Sequence, residues 1–100
     1  MTIHAKTEAE LSAAIAKGSA LVDFWATWCG PCMMMGRSIE RELEPARPDV
    51  TVVKVNVDEA PELAAKFGIT SIPALFCYRD GAKTGEFVGV TDVKTLVSRL

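Results

Sequence analysis

Leu21-Val22-Asp23-Phe24-Trp25-Ala26-Thr27-Trp28-Cys29-Gly30-Pro31-Cys32 is the stretch on which the reading of this chain turns. Residues 21–26 are nearly continuous apolar sequence. Such a run suits a strand covered on both faces, hence a central strand of a sheet. Thr27 to Pro31 interrupts it. From Cys32 a helical pattern begins, with Met35, Ile39 and Leu43 spaced by four, and Pro45 and Pro48 are expected to end it. Cys29 and Cys32 therefore fall between a buried strand and the start of a helix. The first turn of a helix has free backbone N–H groups and the positive end of the dipole, and both stabilise a thiolate. Two cysteines three apart on that turn are also close enough to bridge.

The thiolate is the attacking species in disulfide exchange, so lowering the first thiol's pKa matters. A thiol with a pKa of about 8.5 is only ~3% ionised at pH 7, whereas one whose pKa equals the pH is about half ionised. The lower basicity weakens each thiolate about fivefold, so the net gain is roughly threefold. Acidification alone is a modest effect. Positioning and a good leaving group must supply the rest.

The elements on either side follow from pattern and punctuation. A short strand is expected around Thr2 to Ala5. Thr7-Glu8-Ala9-Glu10 fits a capping box and opens a first helix over residues 7–17, with Gly18 as its stop. Beyond the second helix, residues 51–57 alternate. Val53, Val55 and Val57 face one way; Val52, Lys54 and Asn56 face the other. Pro61 suits the first turn of a third helix, Leu63 and Phe67 give it an inner face, and Gly68 closes it. Ala74 to Tyr78 reads as a strand, Asp80-Gly81 as a turn, and Lys83 to Val88 as the returning strand. Val93, Leu96, Val97 and Leu100 make an amphipathic last helix. The order β-α-β-α-β-α-β-β-α predicts an α/β fold: a central mixed five-stranded sheet flanked by four helices.

Composition bounds the function classes. One hundred residues form a single domain, residues 1–100. Apolar residues at 49% and charged residues at 24% argue against disorder. A formal charge of −2 with no basic stretch disfavours a nucleic-acid partner. No apolar run approaches the roughly 20 residues of a membrane helix. The N-terminus has no basic start followed by a long apolar run, so the expected location is cytoplasmic. In a reducing compartment a Cys-x-x-Cys pair means redox chemistry or metal binding. Zinc usually takes four ligands. Beyond the pair only Cys77 and His4 remain, one in a strand and one near the terminus, so no metal site is expected. Cys77 reads as an inert core residue and His4 as a surface one.

Several segments together resemble the thioredoxin family. They are Leu21 to Cys32; Val53-Lys54-Val55-Asn56-Val57-Asp58; Pro61 to Ile69; Ser71-Ile72-Pro73-Ala74-Leu75; and Phe87-Val88-Gly89. They occur in the right order over nearly the whole chain. Trp-Cys-Gly-Pro-Cys with a distal Ile-Pro is a highly specific combination. The resemblance implies the thioredoxin fold and protein-disulfide reduction by a Cys29/Cys32 dithiol. Cys29 would be the exposed attacking cysteine and Cys32 the buried resolving one. Asp23 would be the buried carboxylate behind them, with Lys54 its neighbour on the adjacent strand. Trp28 would form the rim. Gly30 would let substrate backbone approach, and Pro31 would bias the dithiol toward reduction. Pro73 would be a cis-proline facing the disulfide, and Ile72, Val88 and Gly89 would belong to the docking surface.

The implied partners are disulfide-containing proteins and a separate thioredoxin reductase. The chain is expected to act as a monomer with no tightly bound cofactor. Three departures from the family pattern stand out: Met33 where lysine is frequent, Gly36-Arg37 where a proline usually kinks the second helix, and Ala74 after the proline where threonine is common. They predict a straighter second helix and a less cationic rim. Met33-Met34-Met35 is expected to pack, with one methionine exposed. Two rival functions remain. An oxidase or isomerase of exported proteins predicts a leader and often a histidine between the cysteines. A non-enzymatic thioredoxin-like binding module or subunit predicts no turnover.

Overall fold

The computed structural model describes all 100 residues. Its strands are β1 (Thr2–His4), β2 (Ser19–Trp25), β3 (Thr51–Asn56), β4 (Ala74–Arg79) and β5 (Ala82–Val88). Its helices are α1 (Glu8–Ile15), α2 (residues 30–46), α3 (Pro61–Lys66) and α4 (Val93–Val97). The element order is the expected one.

The strands lie in the order β1-β3-β2-β4-β5. β1, β3 and β2 are mutually parallel, while β4 runs antiparallel to β2 and β5 antiparallel to β4. β2 is central, and its residues from Ser19 to Phe24 are all buried, which accounts for its unbroken apolar character. Alternate residues of the sheet feed two cores. Val22, Phe24, Val53, Val55 and Phe76 pack with Leu11 of α1 and Leu63 of α3. Leu21, Val52, Leu75 and Cys77 pack with Met35, Ile39 and Leu43 of α2 and Leu96 of α4. Phe24, Phe67 and Phe76 form a ring trio with centroids 5.5 to 5.8 Å apart.

The local signals act as their chemistry requires. Thr7 and Glu10 exchange the two bonds of a capping box. Asp80 and Gly81 both have positive φ, 51° and 83°, the geometry of a type I′ hairpin turn. Pro45 behaves otherwise than expected, because α2 runs through it to Ala46. The helix is α-helical over Gly30–Ser38, π-helical over Ile39–Leu43 and α-helical again over Glu44–Ala46. The Glu44 N–H bonds to the Ile39 carbonyl, five residues back. A proline ring clashes with the carbonyl four residues before it. That residue, Arg41, lies within the π turn, which replaces the regular α-helical geometry in which the clash arises. Gly36 and Arg37 sit in the regular first part, so the irregularity of α2 lies downstream of them.

Candidate active site

The N-terminus of α2 emerges where β2 leaves the sheet. Cys29 is the N-cap residue, with extended backbone, and its Sγ accepts the Cys32 N–H at 3.1 Å. That bond satisfies one of the helix's otherwise unpaired donors and favours negative charge on sulfur once the pair is reduced. Pro31 lies in the first turn, where its missing N–H costs nothing. Cys29 and Cys32 form a disulfide, with Cα atoms 5.2 Å apart.

The expected contrast in exposure is small in this oxidised state: Cys29 is 6% exposed and Cys32 2%. Ala26 packs with the two cysteines, and Trp25, Val57 and Ile72 pack against that cluster. Gly30 beside them is exposed, and a Cβ added there would meet nothing within 4 Å. Pro31 is exposed too.

Two loops flank the disulfide. The Ile72–Pro73 peptide is cis, and the Ile72 carbonyl oxygen lies 3.9 Å from Cys29 Sγ. The Gly89 N–H donates to the Pro73 carbonyl at 2.8 Å, tying the end of β5 to this loop. Gly89 has φ +89°, a conformation that favours glycine. Val88 before it is exposed.

Trp28 stands 69% exposed at the rim, and its indole N–H donates to Asp58 Oδ2 at 2.8 Å. Sequence reading did not single out Asp58. Its signal lies in strand register: Trp25 pairs with Asn56, so the residues just past β3 come beside those just past β2. An apolar groove of about 390 Å³ runs between Trp28 and Ile72, floored by Val57, Ala64 and Ile69.

Asp23 and Lys54 are direct partners in the β2–β3 register. Asp23 is buried, and neither carboxylate oxygen has a hydrogen-bond partner. Burial raises its pKa from 3.8 to about 6, against the opposing attraction of the Lys54 ammonium. Lys54 Nζ lies 4.6 Å from the centroid of the Trp25 ring. A cavity of about 20 Å³, roomy enough for about one water, joins Asp23, Lys54, Gly36 and Ile39 to Glu40, Glu44 and Thr2.

Two sequence-singled features lie elsewhere. Cys77 is buried in the α2/α4 core, and burial pushes its thiol up to about 11. Of the three methionines, Met35 is buried while Met33 and Met34 are both exposed, one more than expected.

A Cys-x-x-Cys disulfide capping a helix on a five-stranded mixed sheet defines a thiol–disulfide oxidoreductase. The sequence profile of the Thioredoxin family matches residues 2–100. A thioredoxin of Alicyclobacillus acidocaldarius is 45% identical over 80 residues, covering 80% of this chain and 76% of that one. A thioredoxin of Staphylococcus aureus is 37% identical over 100% of this chain and 96% of its own. The structure of Fasciola hepatica thioredoxin superposes with a TM-score of 0.86 at 34% identity, covering 98% of this chain and 99% of that one. The chain belongs to the thioredoxin family. It carries the fold of that family, and its activity is disulfide reduction. No helix is long and apolar enough to cross a membrane.

Proposed function

We propose that this chain reduces disulfides of other proteins with Cys29 as the attacking sulfur and Cys32 as the resolving one. The observation that carries this assignment is the Cys29 Sγ acceptor position at the head of α2, facing Cys32 N–H. In the reduced protein the Cys29 thiolate attacks one sulfur of the substrate disulfide. A mixed disulfide forms and the first substrate thiolate leaves. The Cys32 thiolate then attacks Cys29 Sγ. The Cys29–Cys32 disulfide forms and the second substrate thiolate leaves. Two electrons pass from the dithiol to the substrate, and the leaving thiolates take up protons.

Asp23 is the proton acceptor for Cys32 in this reading. A carboxyl with a pKa of about 6 is mostly ionised at neutral pH, yet basic enough to hold a proton in passing. Its oxygens make no hydrogen bond to either cysteine, so in this reading a bridging water carries the proton. Lys54 limits the upward shift of Asp23. Trp28, Gly30, Pro31, Ile72, Pro73, Val88 and Gly89 form the docking surface. Gly30 leaves room for substrate backbone, and the Ile72 carbonyl borders Cys29.

The whole chain, residues 1–100, works as one domain and as a monomer in the cytoplasm. A separate thioredoxin reductase returns the disulfide to the dithiol. The test is turnover of insulin disulfides with a nicotinamide-dependent thioredoxin reductase as electron source. Sustained turnover that Cys29→Ser abolishes supports the reading. No turnover with several reductases favours a binding module.

A further inference from the structure

A second groove, of about 310 Å³, lies beside the segment that follows β5, and Met34, Arg37, Ser38, Arg41, Glu42 and Val90 line it. None of these residues belongs to the reaction centre described above. Met34 and Val90 are 54% and 56% exposed, so the groove has an apolar lip. Arg37 and Arg41 stand four residues apart on α2, a spacing at which like charges repel and weaken a helix. Neither guanidinium has a hydrogen bond or ion pair within the chain. The three ion pairs of the fold use Arg47, Lys66 and Lys83 instead. Glu42 is the only acid lining the groove. Two unmatched guanidinium groups beside exposed apolar side chains suit a ligand that brings carboxylates and a hydrophobic group together.

The groove adjoins the dithiol face. Met34 is two residues beyond Cys32, and Val90 follows Gly89, whose N–H holds the Pro73 carbonyl. The Thr91 N–H reaches Met35 Sδ at 3.3 Å and fixes this segment against α2. A polypeptide lying across Cys29 can therefore extend into the groove.

We propose that the groove docks an acidic segment of the protein whose disulfide Cys29 attacks. An apolar side chain of that segment sits on Met34 and Val90, and its carboxylates pair with Arg37 and Arg41. The proposal rests on the dithiol reading above and names the class of partner it prefers. The chain's net charge of −2 opposes an acidic partner at long range, so the preference is local.

The test uses two synthetic peptide disulfides that differ only in their flanks, Asp-Glu-Leu in one and Lys-Lys-Leu in the other. Each is reduced by the dithiol protein in about 20 mM and about 0.5 M salt. The expected result is an acidic preference of about tenfold in rate at low salt, shrinking at high salt. Arg37→Gln/Arg41→Gln brings the ratio near unity. Lys6→Gln/Lys17→Gln removes the same charge elsewhere and leaves the preference standing. Reduction of hydroxyethyl disulfide, small and neutral, stays at the wild-type rate in both variants. A failure of wild type on hydroxyethyl disulfide would instead count against the dithiol reading itself. The proposal is overturned by a wild-type ratio near unity, by a preference that survives the arginine variant, or by equal loss in the lysine variant. Wild-type dimers in sedimentation that the arginine variant abolishes would assign the groove to a second copy and overturn it too.

Discussion

Asp23 and Lys54 face each other across the β2–β3 register, yet their charged groups do not pair. The Lys54 ammonium lies over the Trp25 ring, and both Asp23 oxygens stay buried without a partner. The pair is therefore a weakly attracted couple and not a salt bridge. A buried charge without a hydrogen bond is costly, and the protein lowers that cost by holding the carboxyl protonated to higher pH.

This arrangement makes stability depend on pH. The Asp23 carboxyl binds its proton more tightly folded than unfolded. Its contribution is complete below pH 3.8 and is lost as pH rises through about 6. The step from 3.8 to about 6, at about 1.4 kcal/mol per pH unit, amounts to about 3 kcal/mol. Asp23→Ala should be more stable than wild type by about 1–3 kcal/mol at pH 8, the small cavity offsetting part of the gain. Near pH 4 the advantage should vanish. Denaturant midpoints at the two pH values check this. A variant less stable at pH 8 would mean that Asp23 is paired in solution. The same variant should release substrate from the mixed disulfide more slowly.

Lys54→Met removes the only attraction that lowers the Asp23 pKa. The carboxyl should then titrate above the wild-type value of about 6, and the pH window of stability loss should move up with it. Carboxyl carbon shifts of Asp23 followed by NMR measure it directly. An unchanged midpoint would show that the ammonium is too well solvated over Trp25 to be felt.

Asp58→Ala leaves the exposed Trp28 indole without its acceptor. The expected cost to stability is under about 1 kcal/mol, since the bond is at the surface. Turnover of a protein disulfide should fall severalfold in kcat/KM, because the rim is no longer held. Equal kcat/KM in the two proteins would remove Asp58 from the site.

Much of this site is legible in sequence because its signals are local. The apolar run before Trp28, the paired cysteines and the helix-starting proline all declare themselves within residues 21–32. Asp23 reads as buried from its neighbours alone. Asp58 does not, because its role comes from the register between two strands and from no pattern of its own. Pro45 misleads for the opposite reason. Its local signal is strong, but a π turn absorbs the clash that signal stands for. The contrast between an exposed Cys29 and a buried Cys32 does not read in the oxidised state, because the bridged pair lies in a cluster against which Ile72 and Val57 pack and both residues are buried.

Two glycines should answer oppositely to alanine. Gly36 lies inside α2, and an added Cβ meets only Lys54 Nζ at 3.7 Å, an ordinary contact. Gly36→Ala should stabilise by about 0.5–1 kcal/mol through helix propensity. Gly85 lies in β5, where a Cβ would meet Arg99 Cγ at 3.0 Å and Phe87 at 3.1 Å. Gly85→Ala should gain nothing or destabilise. Thermal midpoints of both variants test the contrast, and a destabilised Gly36→Ala would mean that α2 needs the glycine for packing.

The central claim is the division of labour between the two cysteines, and trapping tests it most directly. Cys32→Ser removes the resolving sulfur and leaves Cys29 at the helix N-terminus. Incubated with a disulfide-containing protein, this variant should accumulate a stable mixed disulfide, which mass spectrometry of the digested adduct should locate on Cys29. The Cys77 thiol, buried and pushed up to about 11, should carry none. Adducts on Cys77, or stable adducts from Cys29→Ser through Cys32 in place of those on Cys29, would contradict the account.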